Sequence, residues 1–146
     1  MKKLIVCFCL MAFFGGNGFL CAQEIAEGEE LYQTITNETL HPYLEALKNG
    51  DVNSIKQHIS EDMYKRYKVL LEENKDYPEF LRNCYRGVDF WVEKIERIDH
   101  DISASVIIKF PENESSRFKF LLRKKMDNVY PYGISGRWKI VKQLSE

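Results

Sequence analysis

The sequence predicts an α+β domain: N-terminal helices packed on a curved antiparallel sheet of four strands or slightly more, cone-like in outline. Three observations carry that expectation. Apolar and polar residues alternate through the last third of the chain. Turn-forming residues separate the alternating runs. Between positions 39 and 87, apolar residues recur at helical spacing, punctuated by capping residues and glycines. A helix and a strand each have one apolar side to bury, and here each supplies the cover for the other.

The chain begins with Lys2 and Lys3, followed by an apolar run from Leu4 to Phe14 that is too short to span a bilayer. Leu20-Cys21-Ala22 then fits a small-residue cleavage site, so residues 1–22 read as a bacterial-type export signal and the protein as periplasmic or secreted. An uncleaved anchor and a lipoprotein site at Cys21 are the alternatives, and Leu20 is a poor residue to precede the latter. Losing Lys2 and Lys3 leaves 19 basic residues against 22 acidic, a formal charge of −3, which is not the balance of a nucleic-acid-binding domain. Of the four cysteines only Cys84 then remains, so no internal disulfide is available and the core must hold the fold. Cys84 itself reads as a small buried hydrophobe.

Residues 23–38 carry five glutamates and read as an acidic tether, turning helical near Leu31 and Ile35. The domain proper is expected over 39–146. Thr39 can cap a helix to Asn49, with Pro42 early enough to cost no hydrogen bond and Leu40, Leu44 and Leu47 on one face beside Tyr43. Gly50 supplies a left-handed stop, and Asp51 caps a short helix through Val52, Ile55 and Ile59. Ser60 opens a third helix with Met63, Tyr67, Leu70 and Leu71 inward, broken by the polar run 72–76. A fourth, from about Pro78 to Tyr85, turns Phe80, Leu81, Cys84 and Tyr85 inward and stops at Gly87.

Four strands follow. Ile102, Ala104, Val106, Ile108 and Phe110 alternate with polar residues, as do Phe118, Phe120 and Leu122, and then Trp138 and Ile140. In the first run, Val88, Phe90 and Val92 keep one phase, and Ile95 and Ile98 depart from it. One extra residue would cause that, so a β-bulge is expected near Glu93–Lys94. Asp99-His100-Asp101 suits a tight hairpin, Pro111 to Ser116 a polar loop, and Asp127 to Gly136 a turn flanked by strand extensions.

Two stretches resemble a known family. Leu44-Glu45-Ala46-Leu47-Lys48-Asn49-Gly50-Asp51 is similar to the end of the first helix in the nuclear transport factor 2-like superfamily. Gly136-Arg137-Trp138-Lys139-Ile140-Val141 is similar to its last strand. The resemblance covers about Leu40 to Leu144, and both motifs are structural rather than chemical. It implies a sheet wrapped on the long helix with a cavity inside. The superfamily holds ketosteroid isomerase-like and polyketide cyclase-like enzymes as well as exported members of no known reaction, and a shared fold does not assign function.

Isomerase chemistry in such a cavity requires a carboxylate base with a tyrosine or protonated acid beside it. The inward strand positions carry no ionisable residue, and Asp89 lies on the opposite parity from Phe90. Tyr64, Tyr67 and Tyr85 could donate a proton but read as core edge. Asp99-His100-Asp101, the one His–carboxylate cluster, reads as a turn, and His41 and His58 as solvated helix positions. There is no phosphate loop, Cys-x-x-Cys pair or nucleophile elbow, and no cofactor or metal is implied.

The leading expectation is therefore a non-catalytic binding module for a small apolar ligand or a protein partner, with an isomerase or cyclase-like enzyme as the alternative. Tyr67, Tyr85, Phe90, Phe118 and Trp138 are the expected pocket lining. On the outward face Trp91, Ile107, Leu121 and Val141 form, if they align, an apolar stripe among basic residues that suits homodimerisation sheet to sheet. Asn37-Glu38-Thr39 and Asn113-Glu114-Ser115 match the glycosylation pattern, which matters only in a eukaryotic secretory route.

Overall fold

The computed structural model describes residues 28–112, 114–129 and 133–145, of which 126–129 and 133–135 are described as backbone. The expected export signal, the first residues of the tether and Asn113 lie outside the described residues. Residues 28–34 are helical and belong to a unit separate from Ile35–Glu146. Within them the Gln33 amide donates to the Glu29 carboxylate at 2.9 Å.

Ile35 is fully buried, so the core begins before position 39, inside the stretch expected to be tether. A π-helical turn, Thr36–Leu40, runs straight into helix α1, His41–Asn49. Thr39 is therefore not a cap: it is buried within the helix, and its hydroxyl donates to the Trp138 carbonyl at 3.4 Å. The reason is Pro42. Its missing N–H and its ring would break an ordinary α-turn, and widening the preceding turn, with the His41 N–H reaching Thr36, lets the helix continue through it.

Gly50 ends α1 at φ 63°, with the Asp51 N–H donating to the Ala46 carbonyl at 2.8 Å, the hydrogen bond of a Schellman cap. Asp51 then accepts from the Asn53 and Ser54 amides at 3.1 and 3.0 Å and starts helix α2, Val52–His58. Ile59 is extended and bridges to Ile140, its neighbour Ser60 donating from its N–H to the Ile140 carbonyl at 2.8 Å. The Ser60 hydroxyl caps helix α3, Glu61–Lys68, which continues as a π-helical turn, Val69–Glu73. That turn shifts the helical phase for the residues after Lys68 only. Met63 and Leu71 are buried, whereas Tyr67 is 43 % exposed.

Helix α4, Tyr77–Cys84, turns the series Tyr77, Leu81 and Tyr85 toward the body of the domain. This i, i+4, i+8 stripe leaves Phe80 and Cys84 on its flank. Phe80 is 59 % exposed and stacks on Tyr77, and Cys84 is an exposed free thiol, so both depart from the inward placement expected for them.

Strands β1 (Asp89–Ile98), β2 (Asp101–Lys109), β3 (Ser115–Val129) and β4 (Gly133–Ser145) form an antiparallel meander in the order β1-β2-β3-β4. The bulge falls at Glu93, where the β1–β2 register shifts between Val92 and Lys94. The first hairpin turns on two residues, Asp99 and His100, with Asp99 at φ 53°. Asp101 lies in β2, where the Arg123 guanidinium forks onto its carboxylate at 2.8 Å for both bonds. The strand extensions expected beside the last turn are present, pairing Val129 with Gly133. Ile102, Ala104, Val106, Ile108, Phe120, Leu122 and Ile140 are buried on the sheet's inner face against the helices. Each of these side chains other than Ala104 contributes about 1.5–3 kcal/mol on leaving water. No helix among the described residues is long and apolar enough to cross a membrane.

Candidate functional site

The helices do not cover the inner face evenly. Where the start of β3 meets the end of β4, a cavity of about 340 Å³ remains between them. Helix α1 supplies Tyr43 and Leu47, and α2 with its extension supplies Ile55 and Ile59. Met63, Tyr67 and Leu71 come from α3 and its π-turn, and Tyr77, Leu81 and Tyr85 from α4 and its end. The sheet adds Phe118, Gln143 and Ser145. Phe118 and Ser145 are direct partners across β3 and β4, so the two strands close that end of the cavity together.

Four tyrosines thus converge on an otherwise aliphatic wall. Tyr43 is almost wholly buried, packs edge-on against Phe120 at 6.0 Å, and donates to the Gln143 side-chain oxygen at 3.4 Å, a long and weak hydrogen bond. Burial pushes its phenol well above the ordinary tyrosine range, and the nearby Tyr85, Tyr77 and Tyr67 push it further in the same direction. Burial raises Tyr77 as well, followed by Tyr67 and Cys84, and it raises Tyr85, followed by Tyr77 and Cys84. At neutral pH these three phenols are protonated donors. No carboxylate, imidazole, ammonium or guanidinium is among the described lining. Among the described residues, no three His, Cys, Asp or Glu side chains gather as metal ligands.

Of the five residues expected to line a pocket, Tyr67, Tyr85 and Phe118 lie on this cavity, and Phe90 and Trp138 do not. Phe90 packs edge-on to His41 at 5.3 Å, with the Lys48 ammonium 5.6 Å above its ring, beneath the opposite side of α1. Trp138 lies at a second cleft, of about 330 Å³, with Glu38, Thr39, Gln57, His58, Arg137 and Lys139. Inward parity is a property of the strand, whereas membership of one cavity depends on where the helices sit. Tyr43 went unmarked as lining because it reads as ordinary helix core, and Tyr77 because it falls just before the helix start expected at about Pro78. The i, i+4, i+8 series Tyr77-Leu81-Tyr85 was the available signal.

The expected outward stripe does not form one row. Trp91 and Ile107 are direct partners, with Trp91 47 % exposed. Across β3, however, Ile107 faces Arg117, while Leu121 faces Ser103 four residues further along. A second register shift, at Leu121/Leu122, pairs Lys142 and Ile140 with those two residues and leaves Val141 between the pairs. Of the two histidines assigned to a solvated helix surface, His41 is exposed, with its ring edge-on to Phe90, whereas His58 is half-buried beside Arg137 and Lys139.

No family model, no curated protein and no solved structure matches this chain.

Proposed function

We propose that Ile35–Glu146 is an exported, non-catalytic binding module whose cavity takes a small, uncharged, mostly apolar molecule bearing one or two oxygens. The observation that carries this reading is the four-tyrosine cavity without a charged side chain in its described lining. A volume of about 340 Å³ lies at the small end of ligand pockets, which run from roughly 300 to 1,000 Å³. Aliphatic walls favour an apolar body, and protonated phenols offer hydrogen-bond donors to an oxygen. An anionic ligand would enter an apolar site with no cation to meet it, which is costly.

The resemblance of Leu44–Asp51 and Gly136–Val141 to the nuclear transport factor 2-like superfamily supports the same reading, since a cavity between helix and sheet is what that resemblance implies. Isomerase or cyclase-like chemistry, the other activity it implies, requires a carboxylate base that the described lining lacks. Export rests on residues 1–22 and is tested by N-terminal sequencing of the protein recovered outside the cytoplasm, where a start at Gln23 is expected.

Two measurements test the binding reading. Native mass spectrometry of freshly purified protein should show an added mass that organic solvent extracts. A neutral apolar fluorophore, N-phenyl-1-naphthylamine, should bind saturably, and Leu81→Trp, which fills the cavity, should abolish binding while Tyr85→Phe preserves it. Failure of both signals, or undiminished dye binding in Leu81→Trp, overturns the reading.

A further inference from the structure

The outward face of the sheet carries charge that its own groups do not cancel. The strand register settles which residues share that face. Most of its acids are engaged there: Glu93 meets Arg117 at 2.9 Å, Glu96 meets Lys94 at 2.6 Å, and Asp101 holds Arg123 at 2.8 Å. Asp89 stands directly opposite Lys109. Lys125, Arg137 and Lys142 remain, all exposed, and among the described residues none of them is in an ion pair.

Lys125 and Arg137 are moreover direct partners across β3 and β4. The pair before them, Arg123 and Lys139, is also two cations, but Arg123 has Asp101, and Lys139 has partners of its own, the Gln57 carbonyl among them. Asp127 follows in the next outward pair, and Glu61, at the start of α3, is held by Lys65 at 3.0 Å. Like charges placed directly opposite destabilise a ladder. The free protein bears that repulsion between Lys125 and Arg137, and an anionic partner relieves it.

Three exposed large apolar side chains share the face: Trp91, Ile98 and Leu144, whose cross-strand partners are Ile107, Asp101 and Lys119. Trp91 and Ile98 lie toward the two ends of β1, about 20 Å apart, and Leu144 is on β4, about 14 Å away across three strand spacings. A small anion cannot touch groups so far apart. A dissolved polyanion would meet the cations and leave the apolar side chains in water. The surface of an anionic bilayer accepts both, since its headgroups attract lysine and arginine while tryptophan and aliphatic side chains settle at the acyl boundary.

We propose that this face docks peripherally on an anionic phospholipid bilayer, with Lys125, Arg137 and Lys142 at the headgroup phosphates and Trp91, Ile98 and Leu144 at the acyl boundary. The site is separate from the tyrosine cavity, which lies between the helices and the opposite face of the sheet.

The test uses the full chain and vesicles of phosphatidylglycerol and phosphatidylcholine in equal parts. Every variant shares residues 1–22, so any binding by the apolar run Leu4–Phe14 is common to all. Co-sedimentation should be stronger than with phosphatidylcholine alone and should fall as salt rises. Lys125→Gln and Arg137→Gln should each weaken binding about fivefold, the worth of one basic side chain near an anionic surface. Each should also raise the urea midpoint by removing the opposed charge, a gain that misfolding cannot imitate. Lys75→Gln, in the loop before α4, should bind like wild type. Phosphatidylcholine brominated on its acyl chains should quench tryptophan emission, and Trp91→Phe should remove the quenching, since the other tryptophan, Trp138, has the inward phase of Ile140. The proposal is overturned by equal binding to neutral and anionic vesicles, or by Lys125→Gln and Arg137→Gln binding like wild type or unfolding at lower urea. It is equally overturned by quenching that is absent or survives Trp91→Phe, or by heparin, a dissolved polyanion, displacing the protein from the vesicles at equal charge.

Discussion

Replacing Gly50 with alanine tests how α1 and α4 are held together. Gly50 is left-handed at φ 63°, and a Cβ there would lie 2.3 Å from the Pro78 carbonyl oxygen and 3.0 Å from its carbon. Both are backbone atoms at the start of α4, so no rotamer change relieves the overlap. Left-handed backbone costs alanine about 1–2 kcal/mol, and the stiffer unfolded chain returns about 0.4–1 kcal/mol of that. The overlap adds about 1–3 kcal/mol, the range for forcing extra volume into a packed contact. Gly50→Ala should therefore destabilise the fold by about 2–4 kcal/mol. Gly87 is the control. It has φ 67°, but a Cβ there meets only the Pro111 ring carbon at 3.2 Å, so Gly87→Ala should cost about 1 kcal/mol. Urea unfolding of the two variants beside wild type measures the difference directly. Because α4 carries Tyr77, Leu81 and Tyr85, Gly50→Ala should also weaken dye binding in the cavity. Equal losses of stability in the two variants would refute the α1–α4 contact as described.

Phe120 is fully buried beneath Tyr43, so Phe120→Ala should lose about 3–5 kcal/mol in urea unfolding, while Phe80→Ala on the exposed flank of α4 should change stability by under about 1 kcal/mol. Tyr43, Tyr77 and Tyr85 have raised phenol pKa values in the fold, so their stabilising contribution is complete below pH 10 and falls as pH rises further, when the unfolded chain ionises first. Thermal melts from pH 9 to 12 should show that decline, and Tyr43→Phe should make it shallower. His58 has the opposite sign. Its pKa is lowered in the fold, so its contribution is complete above 6.5 and falls as pH drops below that value, and His58→Gln should flatten the slope of stability between pH 6.5 and 5.

The strand half was legible because a pleat has one rule. Alternation placed Ile102, Ala104, Val106, Ile108, Phe120, Leu122 and Ile140 on the buried face, and the break in phase after Val92 marked the bulge at Glu93. Gly50-Asp51 was legible for a similar reason: a left-handed stop followed by a side-chain cap is local chemistry. The helical half was harder to read where it depends on wider turns. Two π-turns shift the helical phase, one ahead of Pro42 and one after Lys68, and a fixed 3.6-residue period cannot follow them. Thr39 was misplaced because the helix starts before it and the turn Thr36–Leu40 carries it on through Pro42. Phe80 and Cys84 were misplaced because several apolar residues in α4 compete for a single stripe. Both clefts are tertiary. Nothing local to His58 announces Arg137, some eighty positions away, until the Ile59–Ile140 bridge joins them.

That bridge also determines how copies of this sheet could add to one another. Filament growth by strand addition needs two open margins, one to dock and one to receive. Here the outer margin of β4 is occupied midway by Ile59 and Ser60, whereas β1 has a single neighbouring strand among the described residues. A strand adding along the whole of β4 would have to displace Ile59 and Ser60 at Ile140, so the bridge disfavours continuous pairing on that margin.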